Sequence, residues 1–182
     1  YNVGLVVILN SDAQILSPDA RAKERLFATL MQVAGRAGRH GDQGRVVIQT
    51  RLPEDPLFGA LEKQDYRGFA ESLVEERKEN WCVPFVHQAL VTARAKTLAE
   101  ALYFLNACAK SGFSMAPEDV RVFDPVPMPL VRLMDVERAQ LLVEADGRAS
   151  LNRFLWQWQA TFNAPSGIDW TIEVDPASCL LY

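Results

Sequence analysis

The amino-acid sequence predicts an α/β protein in two parts, with a small α+β domain of split β-α-β-β-α-β order at the rear. Three observations lead there. Short runs rich in valine and leucine alternate with stretches of 3–4 apolar spacing, the pattern of strands interleaved with amphipathic helices. The 182 residues are 49% hydrophobic and 23% charged, ordinary globular usage that excludes a wholly disordered or collagen-like chain. Charge is split unevenly: residues 1–52 hold seven Lys/Arg against four acids, and the remainder holds 12 against 19. A basic front and an acidic rear imply units with different tasks. The expected divisions are 1–52, a helical linker at 53–80, and 81–182.

Each element has a local reason. Val3 to Leu9 reads as a buried strand closed by Asn10, Ser11 and Asp12. Ser17-Pro18-Asp19 reads as a helix start, with a capping serine, a proline at the first turn and an acid at the positive end of the dipole. That helix runs to about Gly38 and carries Phe27, Leu30, Met31 and Ala34 as its apolar stripe. Arg45 to Thr50 is a second buried strand, and residues 56–78 are helical in character. Phe85 to Arg94 reads as a strand, and Thr97-x-x-Glu100 as a capping box before Leu98, Ala101, Leu102, Leu105 and Cys108. Val120 to Val126 is expected at a sheet edge, because Pro125, Pro127 and Pro129 crowd its end. Ala139 to Ala145 is a strand. A helix with Leu151, Phe154, Leu155, Trp158 and Phe162 on one face follows, and then the alternating strand Ile168 to Val174.

Several classes are excluded. No apolar run approaches the roughly 18–20 residues of a membrane span, so no membrane partner is expected. Cys82, Cys108 and Cys179 lie far apart without a CxxC, which favours a reducing, cytoplasmic setting over a disulfide framework or a cysteine metal site. The net charge of −4 argues against a uniformly basic nucleic-acid coat. The chain opens on Tyr1 without a signal-like segment, and a processed product or an excised fragment is expected.

The stretch richest in chemistry is Gln32-Val33-Ala34-Gly35-Arg36-Ala37-Gly38-Arg39. At about 100° per residue, Gln32, Arg36 and Arg39 fall within roughly 60° of one another, opposite the apolar stripe. Guanidinium groups bind phosphate oxygens through paired hydrogen bonds, and two of them one turn apart can hold a transferring phosphoryl group. The plain alternative is a solvated basic helix end, which the helix dipole favours anyway. The glycines at 35, 38, 41 and 44 do not make a phosphate-cradling loop. Such loops run strand, loop, helix, whereas the order here is helix, loop, strand.

Gln32-x-x-Gly35-Arg36-x-x-Arg39 resembles the last motif of superfamily 2 helicases. The longer strings QVAGRAGR, VGLVVILNSDA, LSPDARAKERLF and TRLPEDPLFGAL are similar to the PriA family of primosomal replication-restart helicases. So are the QDYxxFAE-x4-ER pattern at 64–77 and the ending Val174-Asp175-Pro176. This resemblance implies an ATP-driven 3′→5′ DNA helicase that reloads replication machinery at stalled forks in the bacterial cytoplasm, associated with the nucleoid. The implied partners are DNA (forks and single strands) and replication-restart proteins or single-strand-binding protein. The front would be the C-terminal piece of a RecA-like helicase lobe, and the rear a domain similar in fold to a small ribosomal protein that helps bind DNA. Gln32, Arg36 and Arg39 would face ATP, with Arg39 as arginine finger and Arg36 as its partner. ATP and Mg would be held mainly by a first lobe outside this chain. The family's zinc cysteines would precede Tyr1. The fragment alone is expected neither to hydrolyse ATP nor to bind zinc, and no metal ligands are assigned in it.

The rear departs from the family pattern. Where a run like R-Y-R-W-Q is usual, this chain has Val136-Glu137-Arg138-Ala139-Gln140, and Asp124 stands where a glycine is expected before Pro125. From Arg132 to Arg153, four arginines meet four acids, so weak, salt-sensitive DNA binding is expected. Arg132, Arg138, Gln140 and Trp156 are the nucleic-acid candidates. Trp156 lies off the apolar stripe, to be weighed as a stacking residue or a plain surface one; Trp158 lies on the stripe, as core. Trp81 is expected to pin the linker to the sheet. His40 reads as a turn residue, His87 as a strand residue without a visible partner, and Cys108 as a small core hydrophobe. The rival reading of the whole is a non-enzymatic DNA- or protein-interaction module that keeps a helicase-like scaffold.

Overall fold

The computed structural model describes residues 5–17, 19, 21–35, 45–133 and 135–176. It is a mixed α/β protein that divides into two compact units, Tyr1–Asn80 and Trp81–Tyr182.

In the front unit, strands β1 (Leu5–Ile8) and β2 (Arg45–Ile48) pair in parallel, Leu5 opposite Arg45 and Ile8 opposite Ile48. Helices α1 (Asp12–Ile15) and α2 (Ala22–Ala34) stand between them in sequence, and α3 (Pro56–Glu62) and α4 (Tyr66–Glu79) follow. Ile15, Leu26, Phe27, Leu30, Leu57, Phe69 and Leu73 form the core, with Ile8 and Ile48 packed on it. Phe27 and Phe69 stack at 4.1 Å between ring centroids.

Three expectations change here. The strands are not buried on both faces: Val6, Ile8, Val46 and Ile48 are half-buried, while Leu5 (55%), Val7 (53%) and Val47 (40%) are open to solvent. Residues 53–80 are no free-standing linker, because Leu57, Phe69 and Leu73 complete the front core. The Ser17 hydroxyl accepts from the Asp19 N–H in a turn before α2 and does not cap the helix, whose N-cap position is Arg21. The caps that do form belong to Asp55, which accepts from the Leu57 N–H, and Asp65, which accepts from the Gly68 N–H.

In the rear unit, strands β3 (His87–Ala95), β4 (Val120–Val122), β5 (Val126–Leu133), β6 (Val136–Ala145) and β7 (Asp169–Val174) form one antiparallel sheet. Its order is β4-β6-β3-β7, with β5 paired to β6 beyond the end of β4. Helices α5 (Leu98–Met115) and α6 (Arg148–Gln159) cover one face. Alternate residues of the central strands, among them Ala89, Val91, Ala93, Leu141 and Val143, meet Phe104, Leu105, Cys108, Leu151 and Trp158 in a single core. Thr97 and Glu100 make both halves of the capping box.

Strand β5 is the element the sequence pattern did not predict. Pro127 and Pro129 lie inside it. Proline is tolerated there because β5 pairs on one side only, with β6, so a missing N–H need not break a ladder. The expected strand from Val120 to Val126 is therefore two strands, joined through residues 123–125.

Candidate functional site

The polar face of α2 is one candidate. Leu26, Phe27 and Leu30 are buried, whereas Gln32 is exposed on the far side. Arg36, Arg39 and His40 lie outside the described residues. Gln32 contributes an accessible amide but no charge, so holding a triphosphate would depend on the arginines that follow it. Three cations of the front unit's helices are already engaged. Lys23 lies 3.6 Å from Asp55 and 3.7 Å from Glu76, Arg77 lies 3.2 Å from Glu24, and Arg25 pairs with Asp19.

The carboxyl ends of β1 and β2 form a second feature, a depression of about 580 Å³ lined by Leu9, Asn10, Asp12, Gln49, Thr50 and Arg51 among others. Asp12 ties the two ends together. Its carboxylate accepts from the Thr50 hydroxyl at 2.6 Å and from the Arg51 N–H at 2.9 Å. Those bonds, the Thr50 one first, hold its carboxyl below the ordinary 3.8. The Ser11 hydroxyl donates to the Gln49 carbonyl at 2.9 Å. With its oxygens committed to the chain, Asp12 reads as a clasp and not as a ligand group.

In the rear unit the β5–β6 hairpin gathers three of the four nucleic-acid candidates. Arg132 is exposed opposite Glu137. The Arg138 guanidinium donates to the Leu130 carbonyl across the hairpin, at 2.6 Å from Nη2 and 3.2 Å from Nε. Gln140 is 1% exposed. That burial corrects its expected place on a strand-binding surface, because its amide is not presented to solvent. Trp156 is 76% exposed on the outer side of α6, while Trp158 is fully buried and donates from Nε1 to the Cys108 carbonyl at 3.0 Å.

Several acids that seemed to oppose DNA binding have structural partners. The Glu137 carboxylate accepts from the Leu98 N–H at 2.7 Å, satisfying a free donor at the start of α5. Glu144 accepts from Gln88 at 2.7 Å, and Asp146 lies 3.0 Å from Arg121. His87 does have a neighbour: Asp175 lies 4.0 Å from its Nδ1. Cys108 is buried, and desolvation pushes its thiol up from 9.0 to about 12, as suits an inert core residue. Trp81 is 63% exposed, which leaves little of it to pin anything. Among the described residues no cluster of His, Cys, Asp or Glu is arranged to hold a metal ion. No helix among them is long and apolar enough to cross a membrane.

Comparison with known proteins turns on the same rear unit. The family model for the primosomal protein N C-terminal domain matches residues 78–177, more than half of the chain. The chain belongs to this family. Replication restart protein PriA of Haemophilus influenzae is 35% identical over 96% of the chain and 24% of its own length. The Bacillus subtilis protein of that name is 31% identical over 85% of the chain and 19% of its own length, and the Treponema pallidum one 32% over 97% and 27%. The chain thus spans about a quarter of the curated relatives it matches.

Two features of this primosomal-family chain escaped sequence reasoning. Glu137 as the partner of α5 joins residues 39 apart in sequence, and no local pattern signals that. Arg153 was readable: it precedes Trp156 by three, one turn away on the same face, and it has no hydrogen-bond or ion-pair partner among the described residues.

Proposed function

We propose that this chain is the C-terminal part of an ATP-dependent 3′→5′ DNA helicase acting in replication restart and primosome assembly. The front unit would be the end of its second, RecA-like motor lobe. Gln32, Arg36 and Arg39 would contact a nucleotide held, with its magnesium, mainly by a first lobe outside this chain. Arg39 would be the finger that stabilises charge on the transferring phosphoryl group. The rear unit would bind DNA or a replication-restart partner.

The observation that carries this reading is the extent of the similarity. Relatives named as replication restart proteins match through both units, not only through the arginine-bearing stretch. The open face of β1–β2 supports it independently. Parallel sheets are normally covered on both faces, yet Leu5, Val7 and Val47 lie uncovered, as expected of a piece cut from a larger α/β lobe.

Arg39→Ala in the longer protein tests the finger role. An arginine finger can be worth about 10³–10⁵ in rate. DNA-stimulated ATP hydrolysis should fall steeply while DNA binding persists, and an unchanged rate removes the assignment. The isolated 182-residue chain should give no turnover with ATP and DNA. Robust hydrolysis would contradict the reading of it as an incomplete motor.

A further inference from the structure

We propose that the outer face of α6 is a stacking platform for single-stranded nucleic acid, with Trp156 receiving a base and Arg153 an adjacent phosphate. This rests on the reading of the rear unit as a DNA-binding domain, and it locates the site on α6 instead of on the hairpin.

The geometry begins with the helix. Leu151, Phe154, Leu155 and Trp158 face the core, between 0% and 7% exposed. Asn152, Arg153, Trp156 and Gln159 are all exposed and share the opposite side at i, i+3 and i+4 spacing. The Trp156 ring is left in water at 76% exposure. An indole there forgoes the burial that normally stabilises so large a ring.

Charge selects the occupant. Residues 148–159 contain Arg148 and Arg153 and no acid. Arg148 is held by Asp175, whereas Arg153 has no partner among the described residues. An unneutralised guanidinium one turn from an open aromatic face is the pairing that single strands require, cation for backbone and ring for base. A protein-docking face would be expected to surround its aromatic anchor with further apolar residues. Here Trp156 is flanked by the amides of Asn152 and Gln159, which suit base edges.

The hairpin is less available. Two of Arg138's five N–H donors already go to the Leu130 carbonyl, and Gln140 is buried.

The test is anisotropy titration of a fluorescein-labelled oligo(dT) of about 16 nucleotides, the upper end of single-strand site sizes, with the whole chain at several salt concentrations. Base–aromatic stacking predicts that Trp156→Ala weakens binding about 5- to 160-fold without changing the melting temperature, since the ring is outside the core. Trp156→Phe should keep most of the affinity. Arg153→Ala should lower the slope of log K against log salt by about 0.7, one phosphate contact on a single strand. If the wild-type chain binds but Trp156→Ala binds equally well, the platform is overturned and DNA binding stands; loss on Arg132→Ala or Arg138→Ala would then place it on the hairpin. If the wild-type chain does not bind the oligonucleotide, the DNA-binding reading itself fails and the platform with it.

Discussion

The front and rear units complete their sheets by different means. In the rear, β3 and β6 are covered by α5 and α6 on one face, and Leu90, Gln140 and Leu142 are also buried on the other. In the front, the parallel pair offers one face to α2 and its neighbours and leaves the other to solvent. The rear core is thus assembled from its own residues. The front leaves about half of its strand surface for something outside the described residues to cover. A substitution in the rear should therefore register as lost stability in this chain, and one on the open front face should not.

The sharpest way to break that contrast is Trp158→Ala. The indole packs on Phe154 at 5.2 Å and on Phe162 at 4.7 Å, and aromatic-to-alanine changes in cores cost about 3–5 kcal/mol. Denaturant titration should show that loss. Cys108, unreactive to alkylation near neutral pH while buried, should then become labelled. Failure of both would mean that the rear core is not built around this residue.

Gly112→Ala asks the same question more gently. A Cβ there would lie 3.1 Å from the Trp158 ring. Overpacking costs about 1–3 kcal/mol and is offset by about 1 kcal/mol of helix propensity gained over glycine, so a net loss of no more than about 2 kcal/mol is expected, with a shifted indole fluorescence.

Asp12 probes the front unit through pH. Its folded pKa lies below the ordinary 3.8, so the unfolded chain binds more protons near that pH and stability falls with acidification. The contribution is complete above the ordinary carboxylate pKa and is lost as pH falls through the lower folded value. Asp12→Asn should flatten this part of an acid melting profile monitored on the front unit. A profile identical to wild type would show that the clasp to Thr50 and Arg51 contributes nothing.

The smallest effect is expected at Val7→Lys. With Val7 53% exposed, the melting temperature of this chain should stay within the roughly ±0.5 kcal/mol equivalent of ordinary surface changes. In the longer protein the same change should cost much more if the open face is covered there. Equal tolerance in both would remove the argument that this face is covered in a larger lobe.

Local sequence was enough wherever a residue's partner lies within a turn or two. The capping box at Thr97 and Glu100 formed as its spacing required, and helical periodicity separated buried Trp158 from exposed Trp156. Strand β5 was hidden because proline is a poor strand former in general, and only its one-sided pairing makes Pro127 and Pro129 acceptable. The arginines at 36 and 39 lie outside the described residues, so of the face proposed to contact a nucleotide only Gln32 is placed.

The sequence by itself determined the alternation of strands and helices apart from β5, the helix faces that pack, and membership of a replication-restart lineage, because periodicity, capping and motif spacing act over short stretches of chain. Tertiary structure alone decided which polar groups remain available. It buried Gln140, turned Arg138 onto its own hairpin and assigned Glu137 to the start of a distant helix. It also left Arg153 and Trp156 facing water. Those outcomes depend on contacts between residues far apart in the chain, and hydrogen-bonding capacity consumed in such contacts cannot be counted from composition or spacing.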